Sequence, residues 1–265
     1  MVGTPAGCLL GLTLAFVGLR AGVAAGWLPE AVIRIGGVAV AHGGLLAVAL
    51  AWTRADREID GGGTLPSARP LALLAPAGVL ALASAASDLS LLGSIAYLAM
   101  PLLVWRLGRG LITLGPSFPA LSARAILIGG LIGAALGAHL IIAASRTFGH
   151  HPRIGDISAL VSASAYDVGA NALSAEAFFR GAVWRRLYYQ VSFRVALGVS
   201  TVACVGRYLV DPLLPRTLDM AVGAIFYVAV LGVANCWLLR WSGSLVPGYV
   251  ASVVFFAAYR LLGAP

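Results

Sequence analysis

Lysine is absent from this sequence, and charge of any kind is scarce. All eighteen basic residues are arginine, and charged residues make up 11% of the 265 positions. A soluble domain carries about 25%. So few charges cannot solvate a surface in water, so the reading is a chain whose main solvent is lipid. Cysteine is also rare. Cys8, Cys204 and Cys236 are far apart, each in an apolar stretch. No CxxC pair suggests zinc or a disulfide framework, and buried thiols behave as small hydrophobes. No basic residue precedes Arg20, which argues against a cleaved secretory leader. Cys8 has no apolar run before it that would make it a lipoprotein cysteine. Internal repeats and low-complexity tails are lacking, and no polar segment is long enough for a separate soluble domain.

What is present is hydrophobic: 60% of the residues, in runs near the roughly 20 residues that a helix needs to cross a bilayer. The expected fold is all-α, a polytopic transmembrane bundle of eight or nine spans. Nine segments are legible: 6–27, 31–52, 70–86, 89–105, 125–145, 157–189, 192–209, 220–241 and 245–262. Between them lie a polar loop over 54–69 with Gly61-Gly62-Gly63, a basic loop over 106–124, and a short loop holding Arg146, His150, His151 and Arg153. Residues 1–124 read as N-terminal spans with two basic loops. Residues 125–265 read as the core of the same membrane domain.

The net charge of +8 is read as a membrane signal, and nucleic acid is not expected as a partner, because the arginines are scattered at segment ends. Arg54, Arg57, Arg69, Arg106, Arg109, Arg124, Arg185, Arg186, Arg194 and Arg240 fall on one side of the nine-span arrangement. Arg146, Arg153 and Arg216 fall on the other. The richer side is expected to be cytoplasmic. That puts the N-terminus inside a cell (inner or plasma) membrane, with lipid as the main partner. The six tryptophans lie mostly near segment ends, as interfacial anchors do. Gly129, Gly133 and Gly137 form a ridge of small residues that permits close helix approach, within the bundle or at a dimer face.

Charges inside a span cost about 2.5–3.5 kcal/mol each at the helix centre, so they face the interior and find partners. The segment 157–189 is the outlier, with Asp167, Asn171, Glu176 and Arg180. Glu176 and Arg180 are four apart, acid first, on one helix face. Asp167 and Asn171 fall on roughly the opposite face. Such a helix belongs in the middle of the bundle or beside a water-filled cavity. The simplest reading of the pair is a self-neutralising ion pair that pins helices. His42 and His139 read as hydrogen-bonded packing residues. His150-His151 has no nearby acid or thiol in sequence to complete a metal site, and no metal or cofactor is expected.

Residues 174–187, SAEAFFRGAVWRRL, resemble the first motif of the CAAX protease and bacteriocin-processing (CPBP) family of intramembrane glutamic peptidases. That motif is Glu-Glu-x-x-x-Arg, usually followed by Gly. Glu176, Arg180 and Gly181 match, and Ala175 stands where the first Glu is expected. The family's second motif, Phe-x-x-x-His, corresponds to Cys204 through Tyr208. Tyr208 occupies the His place, or Arg207 if the register slips by one. The third motif follows a turn that RWSGSLVP, residues 240–247, matches well. Ala251 then stands where His is expected, and Phe255 where Asn is expected. The resemblance covers about residues 157–262.

In the family, a Glu of the pair and a His activate water against a peptide carbonyl, and the second His and the Asn help hold the oxyanion. The resemblance therefore implies a membrane-peptide binder in which that chemistry is lost or altered. Its ligand would be a hydrophobic membrane peptide or a lipidated tail. The enzyme alternative keeps Glu176 as base, with His139 or His42 replacing a lost His. A third reading is a small transporter or scaffold with Asp167, Asn171 and Glu176 along a polar pathway. Oligomeric state is left open.

Overall fold

The computed structural model describes residues 5–59, 70–108, 121–149, 152, 156–209 and 218–262. Every regular element among them is helical. Nine helices follow in chain order: α1 (Pro5–Ala24), α2 (30–59), α3 (70–85), α4 (Ser90–Leu107), α5 (Ala123–Phe148), α6 (157–188), α7 (Phe193–Leu209), α8 (Leu218–Ser242) and α9 (Val246–Leu261). Four stretches are long and apolar enough to cross a membrane: Glu30–Thr53, Ser90–Leu107, Ala123–Thr147 and Ile225–Ser242.

Local sequence explains where the helices begin and end. The Ser122 hydroxyl accepts from Ala125 N (3.2 Å) at the start of α5, and the Asp156 carboxylate accepts from Ser158 N (2.9 Å) at the start of α6. Each satisfies an amide that has no partner inside its helix. α5 stops at Gly149 and α8 at Gly243, both at positive φ, the backbone state that glycine adopts without a Cβ penalty. After Gly243, Ser244 Oγ accepts from Val246 N (3.3 Å), and Pro247 sits in the first turn of α9, where its missing N–H costs nothing. The Gly-Ser-Leu turn is thus a compact reversal from α8 into α9.

One boundary corrects the sequence reading. α2 continues to Ile59, into the first part of the expected loop. Gly61-Gly62-Gly63 and His150-His151 lie outside the described residues, as do Arg69, Arg109, Arg153 and Arg216.

The exterior is apolar, and the largely apolar interior encloses a set of polar side chains. Leu91, Leu98, Leu102, Leu127, Leu131, Val202 and Ile142 are exposed, while His42, Asp167, Asn171, Glu176, Arg180 and Asn235 are buried. Residues 169–182 of α6 are buried on every side, so α6 is the central helix. The tryptophan expectation needs correction at Trp184. It is fully buried and stacked on Tyr188 (4.7 Å), whereas Trp27, Trp105 and Trp237 are exposed. Being close to a helix end did not make it interfacial, because Tyr188 and Phe193 pack against its ring.

The glycine ridge of α5 faces α9. A Cβ at Gly129 would overlap the Pro247 carbonyl, one at Gly133 the Ala251 carbonyl, and one at Gly137 the Ala258 side chain. The ridge is therefore packing inside the chain. A Gly133→Ala substitution should destabilise the protein by about 1–3 kcal/mol, because overpacking forces two backbones apart. Gly198→Ala, whose Cβ would meet open space, should be neutral or slightly stabilising. Thermal unfolding of the two variants in the same detergent reads the difference.

Candidate functional site

Three widened, π-helical turns interrupt the long helices: Ala39–Gly44 in α2, and Asp167–Asn171 and Glu176–Trp184 in α6. Such turns release backbone carbonyls from regular pairing and recur at functional sites. Side chains of neighbouring helices reach carbonyls within α6. Tyr249 donates to Val168 O (2.9 Å) and Ser200 to Phe179 O (2.7 Å). The three turns carry two polar clusters between them.

The first cluster surrounds Glu176. Its Oε1 accepts from Asn235 Nδ2 of α8 (2.8 Å) and Ser252 Oγ of α9 (3.0 Å), with Arg180 Nη1 at 3.6 Å. Asn235 Nδ2 also donates to Ser252 Oγ (2.9 Å). Arg180 reaches the other way, to Cys204 Sγ of α7 (3.0 Å). Glu176 and Arg180 therefore share a face, as their spacing predicts. Four buried atoms have no partner: Glu176 Oε2, Arg180 Nε, Asn235 Oδ1 and Thr201 Oγ1. Buried polar groups are normally satisfied, so this concentration sets the cluster apart from the surrounding core. Gly248 and Gly232 adjoin it. A Cβ at Gly248 would lie 3.4 Å from Glu176 Oε2, and one at Gly232 would lie 2.6 Å from Arg180 Nη2.

The second cluster lies on the other face of α6. Asp167 takes two hydrogen bonds from Arg260 of α9, from Nε (2.7 Å) and Nη2 (3.0 Å), and one from Asn171 Nδ2 (3.1 Å). Asn171 Oδ1 accepts from Tyr208 OH (2.9 Å) and Arg207 Nη1 (3.2 Å) of α7. Arg207 Nη2 lies between the ring nitrogens of His42, at 2.9 and 3.1 Å. The same ring meets Ser174 Oγ at Nδ1 and Tyr166 OH at Nε2, each at 2.8 Å. His42 thus carries the N-terminal half of the chain into the site, across the division at residue 124.

Of the sequence-derived site residues, Glu176 and Arg180 come together, and Asp167, Asn171, Arg207 and Tyr208 come together separately. His139 joins neither group. Its ring bonds Tyr227 OH (2.8 Å) between α5 and α8. Ala251 is fully buried with its backbone against Gly133. Among the described residues no group of three His, Cys, Asp or Glu side chains could hold a metal ion.

Sequence reading missed Asn235, Ser252, Ser174, Tyr166 and Arg260. One signal was available for the first: the chain has two asparagines, Asn171 and Asn235, both within apolar segments. Truncation by Asn235→Ala should leave Glu176 with a single strong donor and destabilise the fold by about 1–3 kcal/mol, the cost of an unsatisfied buried group. Denaturation of the purified variant measures it. Comparison with known proteins finds no matching family model, no matching curated protein and no matching solved structure.

Proposed function

We propose that this chain is a multi-pass membrane protein of nine spans, with a cytoplasmic N-terminus, that binds a hydrophobic or lipidated membrane peptide without cleaving it. In this reading it descends from CPBP-type intramembrane peptidases and keeps their Glu/Arg helix. The supporting observation is the set of partners around Glu176 Oε1: an amide, a hydroxyl and a guanidinium. A general base needs the group it deprotonates, or a water, within hydrogen-bond reach. Here three donors of the protein itself stand around one carboxylate oxygen. His42, a histidine that could replace a lost one, is taken by Ser174, Tyr166 and Arg207.

A second reading, an active glutamic peptidase, is favoured by one observation. Glu176 Oε2 has no protein partner, and Gly248 adjoins it. A water there could be activated.

One experiment separates the readings. The protein is reconstituted in vesicles with a photo-crosslinkable apolar peptide bearing a C-terminal lipid. The expected outcome is saturable labelling, competed by unlabelled peptide, with no cleavage product from either wild type or Glu176→Gln. Cleavage by wild type that Glu176→Gln abolishes would establish the peptidase instead. Labelling that does not saturate would remove peptide binding altogether.

The topology has its own test. In a background with all three cysteines changed to alanine, Arg57→Cys and Pro152→Cys should react with an impermeant maleimide from opposite sides of sealed vesicles. Reaction of both from one side would refute the nine-span arrangement.

A further inference from the structure

The outer faces of α7 and α8 end alike. On α7, Val195, Val199 and Val202 are exposed at the spacing of a single helix face. On α8, Val230, Val233 and Trp237 are exposed at the same kind of spacing, and Arg240, also exposed, continues that stripe. The two helices pack antiparallel. Thr201 of α7 lies beside Gly232 of α8, and the Arg240 guanidinium sits 4.5 Å over the ring of Phe193, the first residue of α7. Arg194 follows Phe193 and is exposed. It stands about two turns before Thr201, and so on the side of α7 that meets α8. Both apolar stripes therefore finish beside an arginine, at the same end of the bundle.

Neither arginine has a counter-charge among the described residues. Arg194 makes no hydrogen bond or ion pair with any of them, and the contact of Arg240 is the Phe193 ring. A guanidinium lying over a ring keeps the N–H groups of its edge free for an oxyanion. Beside Arg240, Trp237 stacks on Trp241 (5.5 Å), and indoles at a helix end lie at the headgroup level of a bilayer. Apolar stripes, indoles at headgroup depth and two guanidiniums without counter-charge match one ligand in both chemistry and shape, a lipid with an anionic phosphate headgroup. We infer that the α7–α8 face binds an anionic phospholipid, with its phosphate between Arg194 and Arg240 and its acyl chains along the valine stripes. This rests on the chain spanning a membrane, and not on peptide binding near Glu176.

The test reconstitutes the full chain in phosphatidylcholine vesicles doped with brominated-chain phosphatidylglycerol or brominated-chain phosphatidylcholine, which quench nearby tryptophan. Each arginine at a membrane surface contributes about a fivefold preference for anionic lipid. Phosphatidylglycerol should therefore associate about twenty-five-fold more tightly than phosphatidylcholine, seen as quenching that saturates at a lower lipid fraction. Arg194→Gln and Arg240→Gln should each lower this ratio about fivefold, the two together should abolish the preference, and Arg194→Lys should preserve it. Arg194→Gln removes no contact with a described residue, so its loss of preference is not a loss of fold. The selective part of the quenching should vanish when Trp237→Phe and Trp241→Phe are combined. Equal quenching by the two lipids would overturn the site. So would selectivity that survives both glutamine substitutions or the loss of both indoles, or displacement of the lipid by inorganic phosphate at constant ionic strength. Quenching by neither lipid would refute the membrane reading itself, and the site with it.

Discussion

Asp167 and Glu176 are two buried carboxylates on one helix, on opposite faces. Removing an ion from water costs several kcal/mol even after relaxation, so neither can remain there without partners. α6 cannot supply enough of them. α9 sends Arg260 to Asp167 and Ser252 to Glu176. α8 sends Asn235. α7 sends Cys204 to Arg180, and Arg207 and Tyr208 to Asn171. α2 sends His42 to Ser174. The rotation and depth of four helices about α6 are thus tied to satisfying its polar groups. In lipid, where apolar side chains gain nothing by choosing each other over acyl chains, small residues and polar contacts carry that specification. The glycine ridge of α5 supplies the apolar half of the same principle, setting α5 against α9 by steric fit.

The widened turns make this arrangement possible and also require it. A π turn leaves a carbonyl exposed within the helix, which is tolerable at membrane depth only where protein covers it. Tyr249 and Ser200 cover two such oxygens. The two turns of α6 therefore fall in and beside residues 169–182, every one of them buried. Gly169 belongs to the same logic, because any Cβ there would strike the backbone of Tyr97. The absent side chain brings α4 against the widened turn.

Much of this was legible in the sequence, for a physical reason. Apolar runs mark most of the helices within a few residues, because an apolar helix ends where polar or helix-breaking residues begin. The four-residue spacing of Glu176 and Arg180 survives in the fold as a shared face. What could not be read is partnership across helices. Ser252 and Ser174 look like ordinary small residues, and Arg260 looks like a helix-end charge, until the topology brings α9 alongside α6. His139 misled in the opposite direction. A histidine inside an apolar run suggested a buried role, but it lies on the outer part of α5 and bonds Tyr227. The helical extension to Ile59 was hidden because charged residues end a membrane span without ending a helix.

The register of α9 bears directly on what the Glu176 neighbourhood could do. Resemblance to the peptidase motif assigns the histidine and asparagine places to positions 251 and 255. Those positions share a face. Ala251 lies with its backbone against Gly133, and Phe255 stacks on Tyr227 (5.8 Å), the residue that also holds His139. The next pair round the helix does face the site. Ser252 bonds Glu176, and Phe256 stacks on Tyr208 (5.9 Å). One residue is about 100° of helix rotation, enough to separate the two faces. An imidazole meant to meet Glu176 from α9 therefore belongs at 252. Placed at 251, it would have to fit where Gly133 has been reduced to a hydrogen atom to admit the backbone. The loss of peptidase groups in this reading is thus more than a list of substitutions on an unchanged frame. α9 presents a hydroxyl to the carboxylate and α8 adds an amide, both to Oε1, so neutral donors stand where the family's imidazole would meet the Glu.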